Sequence, residues 1–597
     1  MCGIHFCIRS ASSDSPGSRP LDPAVERRLC SRGPDHLGRV EARFGPWQLS
    51  FRSTVLALRG DSITTQPFQD AASGCVLCWN GEAWRIRDRV VEGNDGAQVF
   101  ELLTRTSGTS ADETENGILD VLRSIEGPFS FVFFHSPTDK IYYGRDRLGR
   151  RSLVTSRDGG FKLCSIAESS LSSWQEVEAD GIYCLDLGKC SSEPSFPEPM
   201  IHSWTADHRQ DIISGIGCFN TELPNDPQAT SPPEMDAVQP LYEHLAESLR
   251  LRILNVPIPP RVASATVPDT RVAVLFSGGL DCTVIARLCH ELLPASQGID
   301  LLNVAFENPR LAAAQRKVDR SAEDLLEELY EACPDRVTGR KSFAELLQVC
   351  PGRAWRFIAI NVPYTETTSH RAEVISLIHP HNTEMDLSIA YALYFAARGQ
   401  GVCYNSDSMT DIKGNATQRP DCFTPARILL SGLGADELFG GYTRHATAFS
   451  RLGYAGLVEE LKLDVARLGK RNLGRDDRVM SSWGKEVRFP FLDERLVQWA
   501  IDLPVWQKCD FGFDQLDENG IEPGKRVLRL LSEQLGLKNV AREKKRAIQF
   551  GSRTAKMENS KVKGTTLITT EGFSSDWRQN LIAALRLCVS LASLDGL

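Results

Sequence analysis

Two hydrophobic rhythms divide the chain. Up to about residue 215, apolar positions come in short runs broken by Gly and Pro: WQLSFRSTVLALRG, CVLCWNGE, FSFVFFH, KIYYGRD and GIYCLDLG. FSFVFFH is too short for a helix and dense in aromatic and β-branched residues, so it predicts a buried strand. Together the runs predict packed sheets with few helices. One helix is expected at GAQVFELLTRT, where Val99, Leu102 and Leu103 recur at helical spacing.

The rhythm then breaks. FNTELPNDPQATSPPEMDA is polar, Pro-rich and aperiodic, as a linker is. A helix follows, with Val238, Leu241, Leu245 and Leu249 on one stripe, and the Pro-rich VPIPPRVASATVPDT closes the joint. Beyond it, RVAVLFSGGLDCTVIARLCHELL reads as a buried strand, a Gly turn and a helix, the opening of an α/β unit with a parallel sheet. RILLSGLGADELFGGY repeats the strand and Gly turn, and DLSIAYALYFAARG predicts a long helix. The expected layout is an α+β domain over 2–215, a linker with one helix over 216–270, an α/β domain over 271–555 and a tail over 556–597. The tail sequence DWRQNLIAALRLCVSLASL has an amphipathic pattern interrupted by Arg578 and Arg586.

Length and composition agree with this division. At 597 residues the chain exceeds what one core supports, and 42% hydrophobic with 24% charged residues is the balance of a globular protein. A net charge of -9 leaves no electrostatic footprint for nucleic acid or an anionic membrane. No uninterrupted apolar run reaches 18 residues, which argues against a membrane span. The 17 cysteines are scattered without a signal peptide ahead of them, so free thiols in a reducing cytoplasm are expected. Cys75 and Cys78 form a CxxC, but no partner pair stands at zinc-site spacing, and Val76-Leu77 between them reads as strand interior.

The chemistry is densest at SGGLDCT. A Gly pair between strand and helix lets backbone N–H groups close on a phosphate while the helix N-terminus faces the same anion. Read alone, it could equally be a tight turn. Neither the GxxxxGK[ST] loop nor GxGxxG is present. The segment resembles the SGGxDS pyrophosphate loop of the ATP pyrophosphatases. SGLGADELFGGY resembles the SGEGSDEIFGGY segment of glutamine-dependent asparagine synthetases, and RNLGRDDRVMSSWGKEVRFPFLD resembles the DRxxMxxGxExRxPFLD stretch that follows it there. The resemblance implies that ATP activates a carboxylate as its adenylate and that ammonia then displaces AMP. It implies a nucleotide set of Leu275, Ser277, Gly278, Gly279, Asp281, Cys282, Val304, Ser431 and Gly432, magnesium on Asp281 and Asp436, and a catalytic Lys525 in GKRVLR. Two positions depart from the pattern: Cys282 replaces Ser, a weaker donor, and Leu433 replaces the Glu of SGEG, removing a proton acceptor.

The first half carries its own candidate in MCGIHFC. A terminal Cys has a general base in its own α-amino group, so Cys2 becomes a candidate nucleophile once Met1 is removed; in isolation MCG is also an ordinary small-residue start. RGPDHLG, WNGE and GRDRLGRRSL resemble the ordered motifs of class II glutamine amidotransferases, whose fold is the αββα sandwich of the Ntn hydrolases. That resemblance implies an oxyanion hole from Asn80 and Gly81, and glutamine binding by Arg32, Asn80, Glu82 and Asp95. The family's RLxIxDxxxxxQP arginine, which pairs the glutamine carboxylate, falls on Val55; Arg52 and Arg59 are the nearby cations.

An amidotransferase followed by a pyrophosphate-loop domain is the layout of the glutamine-dependent asparagine synthetase family. PDRVTGR, SGLGADE, RNLGRDDRV and KKRAIQFGSR resemble its divergent asparagine synthetase domain-containing protein 1 group. The implied activity is synthesis of an amide from glutamine, ATP and a carboxylic acid, with aspartate as the default acceptor. The implied partners are small molecules, with no nucleic acid or membrane, and a homodimer is compatible with the family. Two other readings stay open: a synthetase-like protein that binds nucleotide or protein without making asparagine, and amidation of a different acid.

Overall fold

The computed structural model describes residues 2–10, 21–60, 62–106, 108–168, 173–189, 198–205, 212–224, 236–258, 269–315, 322–405, 421–470, 472–512, 520–557 and 563–568. The C-terminal helical pattern predicted beyond residue 576 lies outside the described residues.

The short apolar runs of the first half build two antiparallel sheets. One is ordered Gln175–Glu176, Val154–Ser156, Phe161–Cys164, Gly3–Ser10, Trp47–Val55, His36–Phe44; the other Met200–Ser203, Gly181–Asp186, Lys140–Arg145, Phe129–His135, Val76–Gly81, Phe68–Gln69. Their inner faces share a core in which Phe6 and Phe51 meet Phe134, Ile141 and Leu185. Helices Asp95–Thr104 and Ala111–Arg123 cover the outer face of the second sheet through Val99, Leu103, Ile118 and Leu122. Helix Pro23–Arg32 packs Val25 and Leu29 on Val154 and Cys164 of the first.

Two of these three helices were not expected from periodicity. Pro23–Arg32 buries only a narrow stripe of Val25, Leu29 and Arg32, so its signal lies in its start, where Asp22 accepts from Ala24 N and Pro23 takes the first helical position.

The second half is built on a seven-stranded sheet ordered Asp421–Phe423, Gln400–Asn405, Trp355–Val362, Ile299–Phe306, Val272–Leu275, Ile428–Leu430, Glu486–Arg488. The expected parallel sheet is in fact mixed: five strands run parallel, and the two at one edge pair antiparallel. From Val272–Leu275 the chain moves outward through four strands on one side and returns to two on the other. This is the switch point at which open α/β sheets leave a crevice beyond the strand carboxyl ends. The linker helix Val238–Ile253 buries Leu241, Leu245 and Leu249 in this half's core.

Buried charge joins the halves. Arg32 meets Asp477 at 2.9 Å, and Arg151 stands 3.4 Å from Asp477 and 3.3 Å from Glu486. Arg150 spans Asp146 and Glu494, and Asp35 holds Arg427. Such pairs are costly to desolvate and hold only when matched, so they fix one orientation of the two halves. Among the described residues no helix is long and apolar enough to cross a membrane.

Candidate active sites

Cys2 stands at the head of the strand Gly3–Ser10, where Gly3 leaves no room for a larger residue: an added Cβ would lie 2.6 Å from Thr54 Oγ1. The Cys2 backbone N donates to Asn80 Oδ1 at 2.9 Å, and Gln66 Nε2 lies 3.7 Å from Sγ. Gln66 is itself fixed, its Oε1 accepting from Trp79 N. Asp95 Oδ2 accepts from Trp79 Nε1 and Ala83 N, on either side of Asn80-Gly81-Glu82. Burial pushes the Cys2 thiol up, while the positive charge at the chain start opposes it.

Cys2, Val55, Arg59, Gln66, Gly81, Glu82 and Asp95 line one cleft of about 30 Å³. Glu82 accepts from Arg59 on one oxygen and from Arg488 Nη2 at 3.1 Å on the other. Its carboxyl is pushed up to about 7, chiefly by burial. Arg32 lies in the joint between the halves, on Asp477 and Ser481, and neither it nor Asn80 is among the residues lining the Cys2 cleft. RGPD therefore turns both its charged ends toward the second half, since Asp35 holds Arg427. Of the two nearby cations, Arg52 lines a separate hollow with His5 and Cys7, and Arg59 reaches the Cys2 cleft.

In the second half, a cavity of about 480 Å³ opens at the switch point. Leu275, Ser277, Gly279, Asp281, Cys282, Val304, Ser431, Gly432, Leu433 and Asp436 all line it, so both Gly turns converge on one space. Gly278 supports it from behind. Its φ is +82° and a Cβ there would lie 2.5 Å from Gly339 N and Cα, so only glycine makes this turn against PDRVTGR. Ser342 Oγ holds its carbonyl at 2.6 Å.

Lys525, at φ +55°, sends Nζ between two carboxylates, 2.7 Å from Asp281 Oδ1 and 2.9 Å from Asp436 Oδ1. Lys545 holds the other oxygen of Asp436. Despite full burial, the two lysines keep Asp436 well below the usual carboxylate range, and the two carboxylates raise Lys525. Two carboxylates beside a phosphate-type turn suit magnesium, which takes one or two carboxylates and fills its octahedron with phosphate oxygens and water.

Cys282 Sγ donates to Gly279 O at 3.3 Å and contacts Ser277 Oγ at 3.7 Å. Burial raises its thiol. Leu433 presents an apolar wall; beyond Asp436, Glu437 is bonded by the Tyr442 hydroxyl and raised by burial. Sequence reasoning gave Lys545, Gln66 and Arg488 no site role. Lys545 lies in KKRAIQFGSR, and Gln66 in the QP pair that located Val55.

Comparison with known proteins finds a family at each end of the chain. Residues 1–194 match the glutamine amidotransferase domain family and residues 450–566 the asparagine synthase family. The chain is 33% identical to asparagine synthetase domain-containing protein 1 of Mus musculus, over 95% of this chain and 98% of that one. It is 31% identical to the Homo sapiens protein of that name, over 95% and 97%. A putative glutamine-hydrolysing asparagine synthetase of Methanocaldococcus jannaschii is 34% identical over 73% of this chain and 71% of its own. Among solved structures, a glutamine phosphoribosylpyrophosphate amidotransferase from B. subtilis complexed with ADP and GMP matches at 13% identity and a TM-score of 0.24, covering 55% of this chain and 70% of its own, a likeness too slight to carry the fold.

Proposed function

The chain belongs to the family of asparagine synthetase domain-containing proteins, an amidotransferase domain ahead of an asparagine synthase domain, and from this premise we propose an ATP-dependent, glutamine-hydrolysing amide synthetase. Its default acceptor is aspartate, and the balance is glutamine, aspartate, ATP and water to glutamate, asparagine, AMP and pyrophosphate.

In this reading Cys2, freed of Met1, passes its thiol proton to its own α-amino group, which Asn80 already positions. The thiolate attacks the carboxamide carbon, Gly81 at the cleft wall and Asn80 beside the Cys2 nitrogen meet the oxyanion, and Glu82 and Asp95 face the substrate ammonium. The C–N bond breaks, ammonia leaves, and water releases glutamate from the thioester. In the second half, Ser277, Gly279 and Cys282 take the phosphates while Ser431 and Gly432 bound the nucleotide. Asp281 and Asp436 would hold magnesium, which offsets the repulsion between carboxylates and polyphosphate. Lys525 then faces the charge that develops as pyrophosphate separates from the adenylate.

The observation that carries the proposal is the convergence of Asp281, Asp436 and Lys525 within 2.9 Å contacts at a cavity lined by both Gly turns. The test incubates full-length protein with glutamine, aspartate, ATP and magnesium, and measures asparagine by mass spectrometry together with pyrophosphate. Both products are expected; Cys2→Ala should stop synthesis from glutamine and leave synthesis from ammonium. Absence of both products overturns the proposal.

Leu433 favours a second reading, in which the protein binds ATP without making an amide. Calorimetric ATP binding with no pyrophosphate release, across several candidate acids, would select it.

A further inference from the structure

Among the described residues lining the Cys2 cleft, Arg59 is the only cation. It follows the strand Trp47–Val55 by four residues and sits 14% exposed at the cleft wall, with Nε on Glu82 and Nη1 on Val91 O at 3.1 Å. Its guanidinium lies over Trp84, 4.9 Å from the ring centre. With Arg59 so placed the cleft holds about 30 Å³, room for roughly one or two waters. A free amino acid enters only if something moves.

Resting on the amidotransferase reading above, we propose that Arg59 is the specificity residue for the amide donor, exchanging Glu82 for the donor's α-carboxylate as the donor's α-ammonium takes the vacated oxygen of Glu82. Charge argues for this exchange. Val55 is apolar and the remaining charged residues of the cleft, Glu82 and Asp95, are both acidic, so no other lining residue pairs an incoming carboxylate. Removing Arg59 from Glu82 without replacement would leave a buried carboxylate short of a partner. A zwitterion supplies the replacement, and one ion pair becomes two with no change in net buried charge. Glu82 keeps Arg488 on its other oxygen throughout, and the Trp84 face gives the guanidinium a surface to turn on. The donor is thereby restricted to an amide that carries both an α-carboxylate and an α-ammonium.

The test uses full-length protein and two thiol reagents, read by mass spectrometry on the N-terminal peptide: the diazoketone analogue of L-glutamine, which carries both α groups, and iodoacetamide, which carries neither. Arg59→Ala is expected to slow labelling of Cys2 by the analogue about 10- to 100-fold while labelling by iodoacetamide stays within about twofold. Arg59→Lys should recover part of the loss, and the KM for glutamine should rise far more than kcat falls. Labelling of Arg59→Ala by the analogue at or above the wild-type rate overturns the inference, since Arg59 would then merely fill the cleft. A fall with both reagents overturns it in favour of a structural role. A wild-type Cys2 that reacts with iodoacetamide and ignores the analogue overturns the amidotransferase reading and this inference together.

Discussion

Arg488 Nη2 lies 3.1 Å from Glu82 Oε1, so a residue of the second half holds the residue that follows Gly81 in the first. The same arginine accepts from Ser431 N on its carbonyl at 3.0 Å, and Ser431 lines the nucleotide cavity. Its Nε is bonded to Glu486 and its guanidinium lies 4.8 Å from the centre of the Trp84 ring. One fully buried residue thus links the two sites, holding Glu82 by its side chain and Ser431 by its backbone carbonyl.

Arg488→Ala removes the second partner of Glu82 and one partner of Glu486, each of which keeps another arginine. Because both carboxylates stay partly paired, the cost should fall near the lower end for a broken buried pair, about 3 kcal/mol. Denaturant unfolding measures it. The variant should also lose more glutamine-driven than ammonium-driven synthesis, because Glu82 loosens while Lys525 and Asp281 are untouched. Equal loss in both assays would show that Arg488 supports the fold alone.

Lys525→Met leaves Asp281 and Asp436 facing each other at the cavity without the ammonium between them. Lys545 compensates only Asp436. Pyrophosphate release should fall by about 10²-fold or more, the scale of a lost charge-stabilising donor. Release within threefold of wild type would remove Lys525 from the chemistry.

Much of both sites was legible because it is local. Asn80-Gly81-Glu82 sits at a strand end, and SGGLDCT is itself a strand, turn and helix start, so composition and order suffice. What was not legible depends on which neighbour a side chain meets. Arg32 ends a helix in a motif read as substrate-binding, yet its partner, Asp477, is 445 residues away, and no spacing rule predicts that. Lys545 is 109 residues from Asp436 and looks like one basic residue in a run of three. The antiparallel edge of the second sheet was missed because Gln400–Asn405 alternates too weakly to declare its direction.

Cys282→Ser exchanges a weak donor for a strong one at the phosphate turn. The thiol now bonds Gly279 O at 3.3 Å, and a hydroxyl in that place is free to turn toward a phosphate oxygen. One better hydrogen bond contributes about 1 kcal/mol, so ATP should bind about fivefold tighter by calorimetry. Unchanged affinity would mean that position 282 serves only the turn.

Lys508 is fully buried, and among the described residues its Nζ has no hydrogen-bond partner, resting 4.2 Å from the centre of the Phe219 ring. Burial lowers it from 10.5 to about 7. Between those values the unfolded chain binds the proton more readily than the folded one, so stability rises with pH across that window and is weakest below it. Lys508→Met keeps the stem's volume and removes the titration. The variant should therefore melt higher than wild type near pH 7, and the wild type should close roughly 2 kcal/mol of the gap between pH 7.5 and 9.5, as a full proton difference contributes about 1.4 kcal/mol per pH unit. Urea unfolding of both proteins at the two pH values measures this, and parallel stability curves would mean that Lys508 keeps its proton by finding water or Asp502 in solution.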